Sequence, residues 1–495
     1  MQTDIEYSVR LLKKVNSLEI GGRRIDDYFM IDDYSLWSFQ QFFIFTQIKE
    51  YSKNRDASVC VKRKNFFSKT AILMIGIVQL GVSLLAFIKT RLYHTPVLTF
   101  GSDSLKLGTR LNPRLFNIVS TLEDDGVEYS EIIHAYSGKE FFKNFFKRRR
   151  FVFYYDVVSH LFPYQRSVRI ANEKIIENIS LDMFSQGEKE FVKQLLDRVF
   201  ENVWISQIKI RLIRFFLRYT KIKVFISVDD VRLVNEILYA CKKEGVKTCI
   251  FQHSNFDYLF GLDALSPEKY IFPDIFFVWN AYWEKRISEL SPLYTYYKNR
   301  IKIGGRPYKS PEISCVQRNK IQTNNTHVLI PYEVNVTEEQ VRPYVQAMLA
   351  SDAVSVSLLL RGDVGRDKQI EKYFGSYIIK NNRVHIVDPI KKDEYMAEAD
   401  VVAGVYSGFL DEAIEACKPV AIFDTDYPIF NKMHETGIVQ IVTLTGDTLE
   451  TQLIMIKNTP HQLLEERKKN LCKGTGDARS VTRLVVRNIN NPVVF

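Results

Sequence analysis

ADVVAGVYSGFLDEAIEACKPVAIFDTDYP, residues 399–428, places a strand-like run (400–407), apolar from Val401 to Tyr406, before a helical segment (408–417) and a second such run (419–425), apolar from Pro419 to Phe423. A strand with no polar alternation is buried on both faces, as in a parallel sheet covered by helices. The Tyr406-Ser407-Gly408 turn delivers the chain from the first strand to the start of the helix. The unpaired N–H groups and dipole of a helix start favour a bound phosphate. Glu412 lies one turn further on, where its carboxylate could accept bonds from ribose hydroxyls. The competing uses are an N-cap for Ser407 and a solvated helix surface for Glu412.

Outward from this stretch the same alternation recurs. Before it come strands at 327–332, 355–361 and 383–389, separated by helices at 337–350, 367–380 and 391–398. Earlier still, a helix over 185–221 precedes strands at 223–228, 248–252, 274–279 and 301–305, with PVLTF (96–100) as a further short strand. Strand–helix alternation predicts crossover units and parallel sheets. Residues 308–325 are polar and broken, as a linker is. The expected organisation is a helical, aromatic N-terminal region (1–95) and a Rossmann-like domain (96–307). A linker (308–325), a second Rossmann-like domain (326–480) and a C-terminal tail (481–495) follow. Two such domains leave a cleft between strand carboxyl ends, the default ligand site of this architecture.

The 495 residues carry 46% hydrophobic and 25% charged side chains, which excludes a disordered or collagen-like chain. Six scattered cysteines without paired spacing point to a reducing compartment and away from structural zinc. No signal peptide is expected from MQTDIEYSVR. The net charge of +10 is uneven: residues 1–300 hold 44 Lys+Arg against 34 Asp+Glu, and the remainder is balanced. Such asymmetry implies an anionic partner for the first half. KEFFKNFFKRRR (139–150) and QIKIRLIRFFLRYTKIK (207–223) mix basic and aromatic residues, which suits an anionic bilayer surface or single-stranded nucleic acid. The apolar run 71–88 is at the lower limit for a membrane span. It is interrupted by Gln79 and Ser83 and flanked on both sides by Lys and Arg, so an interfacial or protein-buried helix is expected.

The run of strand, Ser-Gly, helix, Glu-Ala, then Pro-Val and a strand in 399–428 resembles the donor-nucleotide segment of GT-B glycosyltransferases. It is similar to those that build bacterial capsule, lipopolysaccharide and O-antigen polysaccharide, and to polyol-phosphate transferases. FQHSNF (251–256) resembles the Gln-His-Gly-like turn of such proteins, with Ser254 in place of the usual Gly. Residues 271–307 resemble their exit into the second domain. Cys417-Lys418 replaces the common small-Gly pair.

The resemblance implies a GT-B-like α/β fold of two doubly wound domains. It implies a nucleotide-sugar or CMP-sugar donor held by Arg361, Asp388, Tyr406, Ser407, Gly408 and Glu412, with no cofactor. Arg361, beside Asp363, would clamp the diphosphate. Glu333, after HVLIPY, is a further candidate. The acceptor would be a lipid-linked or growing glycan, and the base His253, Asp229 or Asp230. A structural histidine and a helix-capping Asp230 are the competing uses. A side-chain base would make inversion the natural outcome. Asp424-Thr425-Asp426 matches a metal-binding DxD but reads as loop, and no metal is expected. The expected localisation is the inner face of the cell membrane, as a peripheral protein without a nucleic-acid partner. The alternatives are a CDP-alcohol (polyol-phosphate) transferase on the same fold, or a non-catalytic membrane or nucleic-acid binding module.

Overall fold

The computed structural model describes residues 4–53, 69–102, 113–134, 152–154, 166–228, 234–252, 270–290, 294–308, 325–334, 336–361, 364–375, 383–424 and 433–489. The N-terminal region contributes helices α1 (Asp4–Asn16), α2 (Gln41–Lys53) and α3 (Lys69–Leu92). The first domain runs through β1 (Val97–Ser102), α4 (Phe116–Asp124), β2 (Tyr129–His134), β3 (Val152–Tyr154), α5 (Gln186–Arg218), β4 (Val224–Val228) and α6 (Val234–Lys243). It ends with β5 (Lys247–Phe251), β6 (Ile275–Val278), α7 (Ala281–Leu290) and β7 (Ile301–Ile303). These seven strands form one parallel sheet in the order β7-β6-β5-β4-β1-β2-β3.

The second domain comprises β8 (Thr326–Pro331), α8 (Glu338–Ala350), β9 (Val354–Leu359), α9 (Arg366–Phe374), β10 (Val384–Val387), α10 (Lys392–Glu398), β11 (Val401–Gly404) and α11 (Gly408–Glu415). It closes with β12 (Val420–Phe423), β13 (Gln440–Val442), α12 (Leu449–Lys457), α13 (His461–Leu471) and α14 (Ala478–Arg487). Its six parallel strands lie in the order β10-β9-β8-β11-β12-β13. Both sheets start in the middle, run to one edge and return to the other, so each is doubly wound and the GT-B-like plan is present. All five residues of β4 and all four of β11 and β12 are buried, which is why they carry no polar alternation.

The N-terminal region belongs to the first domain's core. Leu11, Leu12 and Val15 of α1, Ile44 and Ile48 of α2, and Trp37 share one cluster with Leu195, Val199 and Phe200 of α5. Burying each large side chain contributes about 1.5–3 kcal/mol. Ser185 and Glu188 start α5 with a capping box, and the same Glu188 accepts a bond from Tyr7 Oη at 2.8 Å. The stretch expected to be a tail begins as helix, over 481–487: α14 crosses back onto α4, with Arg483 Nε 2.9 Å from Asp125 Oδ2. Its first turn is capped by Asp477, which accepts from the N–H groups of Arg479 and Ser480.

The domains meet at Gly304-Gly305-Arg306-Pro307. Asn117 at the start of α4 holds the segment with its amide Nδ2, which donates to Arg306 O at 2.9 Å and Tyr308 O at 2.8 Å. Gly305 adopts φ +78°, and a Cβ there would run into the backbone of Gly476, where the chain passes on its way to α14. Gly245 has a similar φ of +70° but nothing within 4 Å of a Cβ. Gly245→Ala should therefore lose only the left-handed backbone preference, about 1–2 kcal/mol. Gly305→Ala should add a clash that neither backbone can relieve, reaching about 4 kcal/mol. Urea unfolding of the two variants checks this, and equal losses would show that the crossing of the two segments is loose.

Candidate functional site

Strand order reverses in the second sheet between β8 and β11, the point where a doubly wound sheet opens a crevice at its carboxyl edge. Glu333 stands two residues past β8 on one side of that crevice, and the Val405–Gly408 turn stands past β11 on the other. The Glu333 carboxylate reaches across. Its Oε1 accepts from the N–H groups of Tyr406 at 2.9 Å and Ser407 at 2.6 Å, and Oε2 from that of Val405 at 3.0 Å. Gly404 suits this approach, because a Cβ there would stand 3.1 Å from Oε1, a tight contact. Behind Glu333, its own N–H donates to Tyr373 Oη at 3.0 Å and its carbonyl accepts from Lys372 Nζ at 2.6 Å.

The N–H groups of Tyr406 and Ser407, expected to await a phosphate, are thus filled by a side chain of the protein itself. Ser407 caps α11, its Oγ accepting from Phe409 N–H at 3.2 Å. The open side of the turn is at Gly408, where nothing among the described residues lies within 4 Å of an added Cβ. Glu412 faces α10, with Oε2 2.7 Å from Lys392 Nζ, so it is half of an ion pair on the flank of the turn. Tyr406 is half-buried and packs between the two cores of the domain.

The other donor-side candidates lie across the crevice. Arg361 follows β9 with an exposed side chain. Its backbone is fixed by Gln369, which accepts from Arg361 N–H and donates to Arg361 O, both at 2.7 Å. Asp388 follows β10 and caps the turn after it, Oδ1 accepting from Ile390 N–H at 2.9 Å. Adjacent strands are about 4.8 Å apart, so the end of β9 is about 10 Å and that of β10 about 14 Å from the end of β11. The structure therefore gathers Tyr406, Ser407, Gly408 and Glu412 on one turn and sets Arg361 and Asp388 on the opposite rim. Asp424 ends β12, and its carbonyl accepts from Tyr344 Oη. Asp229, Asp230, His253, Ser254, Asp363, Thr425, Asp426 and the basic stretch 139–150 lie outside the described residues.

The first domain brings the ends of β4 and β5 to its own carboxyl edge. Gln252, after β5, accepts from Trp279 N–H through Oε1 at 3.1 Å, and its carbonyl accepts from Trp279 Nε1 at 2.8 Å. Sequence reasoning placed Glu333 on the rim but missed its clamp on the β11 turn, and it missed Lys392 as the partner of Glu412. A lone acid two residues beyond an otherwise apolar strand was the available signal. Among the described residues, no group of three or more His, Cys, Asp or Glu is arranged to hold a metal ion.

A scan against protein-family models and a search of curated proteins find no match. Solved structures do resemble the chain. The UDP-GlcNAc 2-epimerase of Neisseria meningitidis bound to UDP-GlcNAc is 13% identical at a TM-score of 0.46, covering 80% of this chain and 99% of that one. MurG of Acinetobacter baumannii is 10% identical at 0.43, with 79% and 99% covered. UGT89C1 of Arabidopsis thaliana complexed with UDP is 11% identical at 0.46, with 80% and 99% covered.

Burial pushes the Glu333 carboxyl up to about 7, against the pull of the three N–H donors. The group binds its proton more tightly folded than unfolded. Its contribution to stability is therefore full below the unfolded value of 4.5 and is lost as pH rises through about 7. Glu333→Gln removes that titration. The free energy of unfolding of the wild type should fall relative to that of E333Q between pH 4.5 and pH 7.5, measured by urea unfolding across the range. A difference that stays flat would mean that Glu333 is ionised throughout.

Proposed function

We propose that the chain is a transferase that moves a glycosyl group from a nucleotide-activated sugar, held by the second domain, to a glycan or lipid-linked acceptor held by the first. The observation that carries this reading is the pinned turn at the switch point. Glu333 holds Val405–Ser407 from behind while Gly408 faces open space, with Arg361 opposite and Lys392–Glu412 beside it. A turn that is rigid on one side and open on the other can receive a ligand without first being ordered.

In this reading Arg361 stabilises charge developing on the leaving phosphate, together with the start of α11 at Gly408. Glu412 accepts from ribose hydroxyls, exchanging part of its bond to Lys392. Asp388 lines the nucleobase side through the backbone that it caps. The acceptor base is assigned, from sequence, to His253, Asp229 or Asp230, and displacement at the anomeric carbon by that route inverts the configuration. The reaction class would be supported by a glycosylated product free of phosphorus. A product that carries phosphorus would instead identify the polyol-phosphate reaction.

Glu333 adds a condition to donor binding. Ionised, it sets a negative charge beside the phosphate site and neutralises the turn's N–H groups, whereas protonated it does neither. Bound diphosphate therefore favours the proton on Glu333, and affinity should rise as pH falls through about 7.

A thermal-shift panel of UDP-, GDP-, CDP- and CMP-sugars, whose diesters do not titrate near neutrality, identifies the donor. With that donor, calorimetric titration should find Arg361→Ala and Glu412→Gln each weaker by about tenfold or more, equivalent to about 1.4 kcal/mol. Wild-type affinity should be higher at pH 6 than at pH 8, and E333Q should flatten the difference. Unchanged affinity in both rim variants would move the nucleotide away from the switch point.

A further inference from the structure

The α3 helix is built inside out. Its buried stripe consists of Ile75, Gln79, Ser83, Ala86 and Thr90, at spacings of four, four, three and four residues. Three of these five are polar, and Ser83 and Thr90 are used as attachments. Ser83 Oγ accepts from Tyr154 N–H at 3.0 Å, so the helix covers the donor that edge strand β3 would otherwise leave unpaired. Thr90 Oγ1 lies 2.6 Å from Ser130 Oγ on β2. Ile75 packs with Ile133 and Tyr154.

The large aliphatic residues point the other way. Leu73, Met74, Ile77, Val78, Leu80, Leu84, Leu85, Ile88 and Leu92 are all exposed, several by half or more. A helix of a water-soluble domain turns its apolar stripe inward; this one turns it outward from Leu73 to Leu92, about 30 Å. Phe87 of the same helix meets Phe215 of α5 at 5.8 Å between ring centroids. The exposed rings of Phe215, Tyr219 and Tyr93 thereby extend the face at one end. A continuous patch of this kind exceeds what a soluble monomer ordinarily leaves bare.

We infer that the outward face of α3 docks on an anionic lipid bilayer, with the helix lying in the plane of the membrane surface. Charge selects this occupant. Helix 69–92 carries Lys69, Lys89 and Arg91 and no acid, and residues 51–91 hold eight Lys and Arg against one Asp. Basic residues at both ends of an apolar helix let it meet anionic headgroups along its whole length when it lies flat. Exposed tyrosines at one end suit the same interfacial depth. Attachment selects flat over spanning. The buried stripe runs from Ile75 to Thr90, so a span would break the Ser83–Tyr154 and Thr90–Ser130 bonds and uncover the β3 edge.

The inference does not rest on the nucleotide reading and is tested apart from it. The full chain is floated with vesicles of phosphatidylcholine, with and without 30% phosphatidylglycerol. Binding should need the anionic lipid and weaken with salt. Leu84→Glu/Leu85→Glu should abolish flotation without lowering the thermal midpoint, because both side chains are exposed, and Lys89→Gln/Arg91→Gln should weaken binding by about fivefold per charge. Depth is read from the added fluorescence of Leu73→Trp, Leu80→Trp and Ile88→Trp, all on one face, against shallow and deep lipid quenchers. Equal shallow quenching of all three supports the flat helix, whereas a deep Leu80 position between shallow ends would overturn it. Absence of flotation would overturn docking, as would flotation unaffected by L84E/L85E. So would a dimer in sizing chromatography that L84E/L85E turns into a monomer, because a second copy would then cover the face.

Discussion

Arg306 is buried where the first domain hands the chain to the second, its guanidinium 4.5 Å from the Trp279 ring and 2.6 Å from a Glu415 carboxylate oxygen. A buried cation left without its partner would cost several kcal/mol, so the position of each neighbour is constrained by it. Trp279 is locked by Gln252 at the end of β5, and Glu415 lies in the last turn of α11. Asp411, one turn earlier, is fully buried beside the same cation, and neither of its oxygens has a hydrogen-bond partner among the described residues. Burial pushes its carboxyl up to about 8 against the attraction of Arg306. Burial pushes the Glu415 carboxyl up as well, against the attraction of the same Arg306.

This arrangement determines what the ligand turn can do. The far end of α11 is tied to the first domain through Arg306, and its near end is tied to β8 through Glu333. The turn between β11 and α11 is therefore placed relative to both sheets by two acids, Glu333 and Glu415, at opposite ends of the helix. Rotation of one domain against the other would have to strain Arg306–Glu415 before it could move Gly408. Domain closure in this protein is expected to leave the Val405–Gly408 turn fixed and to move the rims around it.

Much of this architecture could be read from the residues alone. The strands at 223–228, 327–332 and 400–407 were recognisable because burial on both faces removes polar alternation, and the long helix from 185 because Ser185 and Glu188 announce its start. The contacts that matter most were not legible, for a physical reason. Glu333 meets Val405–Ser407 because strand order reverses between β8 and β11, and Tyr7 meets Glu188 across 181 residues. Neither pairing leaves a local trace. The helix within 481–495 was missed because its amphipathic face has no meaning until α4 is there to receive it. Residues 1–95 looked like an appendage because their partner stripe on α5 begins about a hundred residues later.

The polar residues that interrupt apolar segments share one use. Sheets end in donors without partners, at carboxyl-edge turns and along edge strands, and a buried N–H left unpaired costs as much as a lost hydrogen bond. Gln252 answers this at the end of β6, Glu333 at the turn after β11, and Ser83 at the outer side of β3. Each stands in or directly after a run that hydrophobicity alone would describe as plain strand or plain membrane helix. The position of the polar atom, more than the length of the apolar run, tells which surface faces protein. For α3 this places protein on the Gln79–Ser83–Thr90 side, and leaves the aliphatic side exposed.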